Sequence, residues 1–267
     1  MIYGAIFGDI AGSNYEYCPV RSSEFNLIDN HSTFTDDTVM TLAVAIWLCK
    51  ENKNSTNLIT ALQTLGQMFP QAGYGGTFRM WLIDADPKPY NSWGNGSAMR
   101  VSPCGWVASS LEEAEELAKQ SAEVTHNHPE GIKGAQAVAA AIYLARTGHS
   151  KQYIKNYIEN TYKYNLNRTV QSIIDRGYGF DVSCQGSVPE SIIAFLDADD
   201  FESTIRNAIM LGGDADTQAA IAGSIAEAFY GIPDEYKEIV EQKLDEKLLS
   251  ILKHFNEKFE NNEKLEL

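Results

Sequence analysis

The sequence predicts an all-α fold, arranged as one domain over residues 1–267. Apolar residues recur three and four positions apart along most of the chain, which is the period of a helix with one buried face. No segment shows the alternation of a half-buried strand, no long unit repeats, and no linker divides the chain. We therefore expect about ten helices around one core, with a frayed acidic tail over roughly the last eight residues.

The first helix is predicted at the N-terminus, where glycine recurs at every fourth position as Gly4, Gly8 and Gly12. On a helix these glycines form a smooth stripe against which a second helix can pack closely. Their spacing differs from the G-x-G-x-x-G fingerprint of dinucleotide-binding proteins. Asp9 and Glu16 lie on this helix or just beyond it, and we expect them to be neighbours.

A polar loop over 18–34 separates this helix from a second one over 35–50. The second helix is apolar on nearly every face and is therefore expected to be buried, with Thr35 or Asp36 capping its start. A third helix, over 56–69, carries its apolar residues at helical spacing.

Between Pro70 and Pro103 the chain is rich in glycine, notably at Gly73–Gly76 and Trp93–Ser97. Such runs allow positive φ angles and close approach of the backbone to a ligand. The alternative is that they only form turns between helices, and for Gly73–Gly76 taken alone that interpretation is the better one.

The second half of the chain also reads as helical, with Ser110 and Glu113 forming a capping box and Pro189 fitting a first turn. A glycine-containing loop is expected over 177–186, before that turn. The predicted helices are 110–124, 131–146, 151–175, 190–196, 201–210, 216–229 and one amphipathic helix that includes Val240 to Phe259.

Charge and cysteine content exclude several function classes. The formal net charge of −15 argues against a nucleic acid as the main partner, although a small anion neutralised by metal and backbone N–H groups remains compatible. The four cysteines are far apart and form no C-x-x-C, which argues against zinc and disulfides and favours a reducing compartment. No signal peptide and no membrane span is predicted, so we expect a cytoplasmic protein without a membrane partner.

Two acidic runs, Thr35–Thr38 and Gly212–Thr217, each precede a long apolar stretch. Carboxylate and hydroxyl oxygens are hard ligands that select Mg²⁺, Mn²⁺ or Ca²⁺ over Zn²⁺. Four aspartates brought together would repel one another, whereas two cations would balance their charge. We therefore predict that the runs meet and hold two divalent cations. The alternative for either run alone is a helix N-cap, where Asp and Thr are favoured.

Four motifs resemble, in their order and spacing, those of ADP-ribosylglycohydrolases, the family that includes the dinitrogenase-reductase-activating glycohydrolase. They are Gly8–Gly12 (GDIAG), Thr35–Thr38 (TDDT), Gly94–Arg100 (GNGSAMR) and Gly212–Thr217 (GGDADT). The likeness extends from the first residues to about Pro233. It implies an orthogonal all-α domain around a binuclear Mg²⁺ or Mn²⁺ centre that removes ADP-ribose from a modified acceptor.

The resemblance also assigns residues to roles. The implied metal ligands are Thr35, Asp36, Asp37, Asp214, Asp216 and Thr217. Glu16 and Asp37 are the implied catalytic groups; Glu16 matches a mobile, metal-linked glutamate of some family members, although others lack an acid there. Asp9 would hold the first helix in place.

The implied substrate-binding residues line a channel for the diphosphate and adenosine of ADP-ribose. They are Gly75, Ser92, Trp93, Gly94, Asn95, Gly96 and His126. Trp93 offers a flat surface for stacking, and His126 matches a family position near the nucleotide. Arg100 could pair with phosphate or merely brace neighbouring acids, and His128 is expected to organise the turn before Pro129.

Cleavage at the anomeric carbon passes through an oxocarbenium-like state, which carboxylates such as Glu16 or Asp37 could stabilise or serve by accepting a proton. The predicted partners are an ADP-ribosylated protein, or another ADP-ribosylated acceptor, and free ADP-ribose. Two alternatives stay open: a non-catalytic ADP-ribose-binding or structural protein, and a metal-dependent hydrolase of nucleotide pyrophosphates. The linkage to the acceptor, whether through arginine, serine, a nucleic-acid end or a metabolite, is not readable from the sequence.

Overall fold

The computed structural model of the chain describes residues 1–263. Fifteen helices occur in this part of the chain, and its only pairing of extended backbone is an isolated bridge between Gly94 and Ser183. The helices are α1 (Tyr3–Gly12), α2 (Asp36–Leu48), α3 (Ser55–Met68), α4 (Gly76–Leu82), α5 (Gly96–Met99), α6 (Ser102–Val107), α7 (Leu111–Glu123), α8 (Pro129–Arg146), α9 (Lys151–Tyr162), α10 (Val170–Asp175), α11 (Cys184–Leu196), α12 (Phe201–Met210), α13 (Ala215–Tyr230), α14 (Asp234–Lys243) and α15 (Glu246–Glu263). The predicted all-α fold is confirmed.

The centre of the molecule is the antiparallel pair of α1 and α13. A side chain at Gly8 would collide with the backbone of Ala219, and one at Gly4 would collide with that of Gly223. The glycine stripe therefore allows two helical backbones to touch, as the spacing predicts. Because the helices run in opposite directions, the end of α1 lies beside the first turn of α13.

The start of α2 is fixed to α1 by the carboxylate of Asp9. Thr35 caps α2 by accepting a hydrogen bond from the backbone N–H of Asp37 (3.3 Å). Asp9 accepts from the backbone N–H groups of Thr35 (2.9 Å) and Thr38 (3.1 Å). An acid placed at a helix N-terminus satisfies free N–H groups and the helix dipole together. The first turns of α2 and α13 thereby reach the same end of α1.

The glycine-rich segment differs from the loops expected between Pro70 and Pro103, because it contains α4, α5 and α6. In α4 the apolar side chains of Phe78, Trp81 and Leu82 are buried. Their burial stabilises a helix as short as this one, in which intrinsic propensity contributes little.

The predicted start of the α11 helix was also wrong. The helix begins at Cys184 rather than at residue 190, since Ser183 accepts from the N–H of Gly186 (3.1 Å) and caps it. Pro189 lies inside the helix, near its start, where the missing N–H removes only one backbone hydrogen bond.

Two other predicted helices are divided, and one predicted cap has a different partner. The expected helix over 151–175 is divided into α9 and α10, because Lys163 takes a left-handed conformation with φ 61°. The expected C-terminal helix is likewise divided into α14 and α15, because Leu244 takes an extended conformation. In the predicted capping box, Ser110 accepts from the N–H of Glu113 as expected, but Glu113 accepts from the N–H of Ser109 (2.7 Å) instead of Ser110.

Among the described residues, every helix is too short or too polar to cross a bilayer. The tail predicted for about the last eight residues falls on 260–267. The side chains there lie outside the described part of the chain, as does the backbone of 264–267.

Candidate active site

A cleft of about 900 Å³ opens where the end of α1 meets the first turns of α2 and α13. Loops around residues 72–77, 90–97 and 180–183 form its other walls. The structure brings all the sequence-predicted site residues to this cleft. They are Glu16, Thr35, Asp36, Asp37, Gly75, Ser92, Trp93, Gly94, Asn95, Gly96, His126, Asp214, Asp216 and Thr217.

The two acidic runs meet at the floor of the cleft. The hydroxyl of Thr217 donates to Oδ2 of Asp37 over 3.2 Å, across 180 positions of the chain. Carboxylate oxygens of Asp9, Asp37 and Asp216 lie within 4.8 Å of one another. A second group at the same separation consists of Glu16, Asp214 and Asp216. Asp216 belongs to both groups, so the acids form one continuous cluster.

The cluster carries repulsion that the protein itself does not neutralise. Asp37 and Asp216 are 3% and 5% exposed, and burial together with the neighbouring carboxylates raises the pKa of both. Burial and the charge of Asp9 raise the pKa of Asp36 to about 8. Within residues 1–263, the ion pairs of the chain involve none of these aspartates. A buried set of like charges calls for a cationic ligand.

The donor set fits a hard divalent cation. Oδ1 of Asp37 is buried and has no hydrogen-bond partner, which is costly for a carboxylate oxygen unless it binds an ion. The neighbouring atoms that could bind a cation are carboxylate and hydroxyl oxygens. These are ligands of Mg²⁺ and Mn²⁺ rather than of Zn²⁺. Asp9 differs from the others, because its oxygens already accept four hydrogen bonds from Thr35 and Thr38.

Glu16 lies at the edge of the acid cluster, just beyond the end of α1, and is half-buried. Burial raises its pKa, and the charges of Asp214 and Asp9 raise it further. The neighbouring Tyr17 is 80% exposed and also lines the cleft.

The wall opposite Glu16 is the loop that contains Gly94 and Asn95. The N–H of Asn95 donates to the carbonyl of Val182 (2.8 Å), and the N–H of Cys184 donates to that of Trp93 (2.9 Å). The side-chain amide of Asn95 donates to Oδ2 of Asp214 over 2.7 Å. Asn95 therefore connects the acid cluster to a wall that is otherwise neutral.

His126 and Arg100 line the cleft next to this wall. Nδ1 of His126 is 2.7 Å from the hydroxyl oxygen of Thr125. Burial, together with the charge of Arg100, holds the pKa of His126 well below its usual value. Arg100 is fully buried and donates to the carbonyl of Ser121 (2.6 Å) and to the hydroxyl of Thr125 (2.9 Å). The alternative that Arg100 braces neighbouring acids was wrong, because in the described chain it hydrogen-bonds to these two neutral oxygens and lies over the ring of Phe78 (6.0 Å), while its Nε has no partner.

Exposed aromatic rings surround the mouth of the cleft. The predicted stacking residue Trp93 is 53% exposed, and its ring meets the edge of His128 at 5.6 Å between centroids. His128 also caps α8, accepting from the N–H of Glu130 (3.1 Å), as expected of a residue that organises this turn. The rings of Tyr17 and Phe180 lie nearly parallel at 6.4 Å.

Sequence reasoning missed Tyr17 and Phe180 as cleft residues. For Phe180 a signal existed, because an aromatic residue in the glycine-containing loop over 177–186 has no helix face on which to be buried. For Tyr17 the only signal was its position next to Glu16.

A third residue missed from the sequence is Arg21, in the loop that follows Glu16. Its guanidinium donates to the carbonyl of Leu211, to that of Met210 (3.1 Å) and to that of Tyr178 (2.7 Å). Arg21 thereby ties three segments together: its own loop, the turn that leads to Asp214, and the loop that carries Phe180. No pattern in the sequence links an isolated arginine to backbone carbonyls so far away.

Comparisons with known proteins agree with this architecture. The model of the family described as ADP-ribosylglycohydrolase matches residues 1–264. ADP-ribosylhydrolase ARH3 of Homo sapiens is 27% identical, over 89% of this chain and 87% of its own length. ADP-ribosylarginine hydrolase Tri1 of Pseudomonas putida is 26% identical, over 90% of this chain and 72% of its own. A solved structure titled ADP-ribosylglycohydrolase-related protein complex shares the fold, with a TM-score of 0.71 at 23% identity over 95% of both chains.

Proposed function

The chain belongs to the ADP-ribosylglycohydrolase family, and from that premise we propose that it is a metal-dependent hydrolase that removes ADP-ribose from a modified protein side chain. The bond cleaved is the one between the acceptor and the anomeric carbon of the ribose. One observation carries the proposal: a cluster of uncompensated carboxylates, with an unpartnered Asp37 oxygen, forms the floor of a cleft whose other wall is neutral and aromatic. The likeness to ARH3 and Tri1 supports the same reaction class.

Two Mg²⁺ ions, or Mn²⁺ in their place, would be held by the two acidic runs. The residues that would hold them are Thr35, Asp36, Asp37, Asp214, Asp216 and Thr217. When bound, such ions supply positive charge that fixes ribose hydroxyls and activates water. Asp9 supports the site instead, because it fixes the start of α2 and so the position of Asp37.

The protein's own groups complete the chemistry. Glu16 lies at the edge of the cluster, where its carboxylate can accept a proton from the attacking water. The buried carboxylate of Asp37 would lie close to where the oxocarbenium-like charge develops and would stabilise that charge.

The neutral wall would bind the rest of ADP-ribose. Gly94 and Gly96 carry no side chain, so the diphosphate can approach this loop closely. The N–H groups of Gly94 and Asn95 already donate to Ser92 and Val182, so the loop contributes shape more than charge. Trp93 offers an exposed ring on which the adenine can stack. The remaining predicted contacts, Gly75, Ser92 and His126, line the same space.

The two alternative functions would give different products. A binding or structural protein would release nothing, and a pyrophosphohydrolase would release AMP and a ribose phosphate. The complete acid set argues against the first, because loss of one ligand is the simplest route to an inactive relative. The likeness to ARH3 and Tri1, both named as ADP-ribosyl hydrolases, argues against the second.

The decisive experiment incubates the protein with arginine-linked and serine-linked ADP-ribosylated proteins, with MgCl₂ or with EDTA, and identifies the products by mass spectrometry. We expect free ADP-ribose only with the metal. The double change Asp36→Asn and Asp37→Asn should lower the rate by at least roughly a hundredfold, because the first acidic run then loses both of its carboxylate ligands.

A matched control is the double change Asp84→Asn and Asp86→Asn, in an exposed loop outside the cleft, which should leave the rate within about twofold. Unchanged release by the variant of Asp36 and Asp37, or AMP as the product, would reject the proposal.

A further inference from the structure

We infer that Arg100 and Thr125 act on the substrate through His126, by fixing its ring as an Nε2–H hydrogen-bond donor directed into the cleft. Neither residue belongs to the acid cluster. With His126 they form a relay of three hydrogen-bonded side chains beside the neutral wall, and the direction of the relay follows from which atoms can donate.

Arg100 fixes the direction of the first hydrogen bond in the relay, because a guanidinium can only donate. Its Nη2 donates to the hydroxyl oxygen of Thr125 over 2.9 Å and to the carbonyl of Ser121 over 2.6 Å. Both contacts are buried, so neither is exchanged for water. The oxygen of Thr125 is therefore an acceptor towards Arg100.

The hydroxyl of Thr125 in turn determines which ring nitrogen of His126 carries the proton. Its hydroxyl is fully buried, and in the described chain its oxygen has only two partners, Arg100 and Nδ1 of His126. If Nδ1 carried the proton, the hydroxyl oxygen would accept twice and its own O–H would be buried without an acceptor, at a cost of about 1–3 kcal/mol. The hydroxyl therefore donates to Nδ1 over 2.7 Å.

The imidazole of His126 is neutral, since burial and the nearby charge of Arg100 lower its pKa. With Nδ1 accepting, the single ring proton must lie on Nε2. That nitrogen points towards Gly94 and Gly96, the loop proposed for the diphosphate, and makes no hydrogen bond to any described residue. It presents one directed donor, suited to a phosphate or hydroxyl oxygen of the ligand.

The inference rests on the proposed function only for the identity of the ligand, and the tautomer itself can be measured independently. Nitrogen-15 labelled protein, held near neutral pH, gives two-bond nitrogen–proton correlations for each of its five histidines. His126→Gln identifies the signal of His126. We expect a pure Nε2–H tautomer in the native protein and a mixture of tautomers in Thr125→Val, which keeps the shape but not the hydroxyl.

Binding supplies the second readout, with ADP-ribose as the probe in calorimetry. Thr125→Val should weaken ADP-ribose roughly five- to tenfold, the loss of one well-oriented hydrogen bond, and Thr125→Ser should restore affinity to within about twofold. Thr204→Val is the matched control. That threonine is as buried as Thr125 and donates to the carbonyl of Asp200 in α12, away from the cleft.

Two results would overturn the relay: an Nδ1–H or mixed tautomer in the native protein, or a Thr125→Val variant with the native tautomer and native affinity. A native protein that shows the Nε2–H tautomer but binds no ADP-ribose would leave the relay standing and reject the proposed function instead. The two failures are thus distinguishable.

Discussion

The two sides of the cleft differ in their electrostatics. We call the carboxylate cluster at its floor the acid wall, and the loop with Gly94 and Asn95, together with Arg100, Thr125 and His126 beside it, the neutral wall. On the acid wall, Asp37 and Asp216 are buried beside other carboxylates, and Oδ1 of Asp37 has no partner. On the neutral wall, buried Arg100 has neutral oxygens to donate to, and Thr125 and His126 complete its network. One wall is built from unpaired acceptors and the other from donors that are already held in place.

The difference shows which wall depends on a ligand to be stable. Carboxylates that repel one another raise the free energy of the folded state until a cation or protons neutralise them. The Arg100 network is held by hydrogen bonds within the protein, although Nε of Arg100 is buried without a partner, and it is therefore largely fixed before the substrate arrives. The acid wall should therefore be the less stable region of the metal-free protein, and the neutral wall should change little on binding.

The largest expected effect comes from Asp216→Asn, because Asp216 belongs to both groups of neighbouring acids. Activity should fall by at least roughly a hundredfold, as expected for a lost metal ligand. In EDTA the melting temperature should rise instead, since one repelling charge has been removed. The stabilisation by MgCl₂ that we expect of the native protein should be largely lost.

Asp234→Asn is the control that tests whether the loss of any carboxylate lowers activity and raises the melting temperature in EDTA. Asp234 is exposed at the start of α14, where its hydrogen bond to Lys237 lowers its pKa. Its replacement should leave activity unchanged and, unlike Asp216→Asn, should not raise the melting temperature. An Asp216→Asn variant that is less stable than the native protein in EDTA would contradict the account of the acid wall.

The second effect is a dependence of stability on pH whose sign differs between the walls. The folded-state pKa of Asp36 is raised from 3.8 to about 8, so its contribution to stability is full below 3.8 and is lost as the pH rises through about 8. The pKa of His126 is lowered from 6.5, so its contribution is full above 6.5 and is lost as the pH falls towards the folded value. The acid wall weakens in alkali and the neutral wall in acid.

Between about pH 7.5 and pH 8.5 the acid wall should dominate, because His126 is then largely neutral in both the folded and the unfolded state. In EDTA the melting temperature should fall across this range. In saturating MgCl₂ it should fall much less, because the cation, unlike protons, is not lost as the pH rises. Thermal melts at several pH values, with and without the metal, measure this. A melting temperature that rises with pH in EDTA would show that the acids are not under strain.

The sequence predicted the acid wall better than the neutral one, for a physical reason. Carboxylates before an apolar helix conflict with burial, and that conflict is visible in Thr35–Thr38 and Gly212–Thr217 without a structure. The glycine stripe likewise predicted that a second helix packs closely on α1, although not that this helix is α13. The relay of Arg100 and Thr125 left no such mark, because an arginine and a threonine 25 positions apart are ordinary residues until the fold joins them.

The predicted helix boundaries were wrong where long-range packing or a helix cap outweighed the local sequence pattern. Pro189 suggested a first turn, yet Ser183 caps the helix earlier and the remaining contacts tolerate the missing N–H. The short α4 exists because Phe78, Trp81 and Leu82 are buried, and no propensity within seven residues would have predicted it.

The smallest expected effect concerns Arg21, which belongs to neither wall but ties the loop after Glu16 to both. Its guanidinium lies at the C-terminal end of α12, where the carbonyls of Met210 and Leu211 have no helical partners and the helix dipole favours a cation. Because Arg21 is exposed, Arg21→Ala should cost only about 1 kcal/mol of stability. Its effect on catalysis should be larger in kcat than in KM, with kcat falling roughly fivefold, because Glu16 then loses its support while the neutral wall keeps the substrate.

Arg79→Ala, which removes a similar exposed contact to the carbonyl of Pro70 outside the cleft, should change neither constant. A fall in affinity with an unchanged kcat would instead place the function of Arg21 in the neutral wall, through the carbonyl of Tyr178 and the loop that carries Phe180.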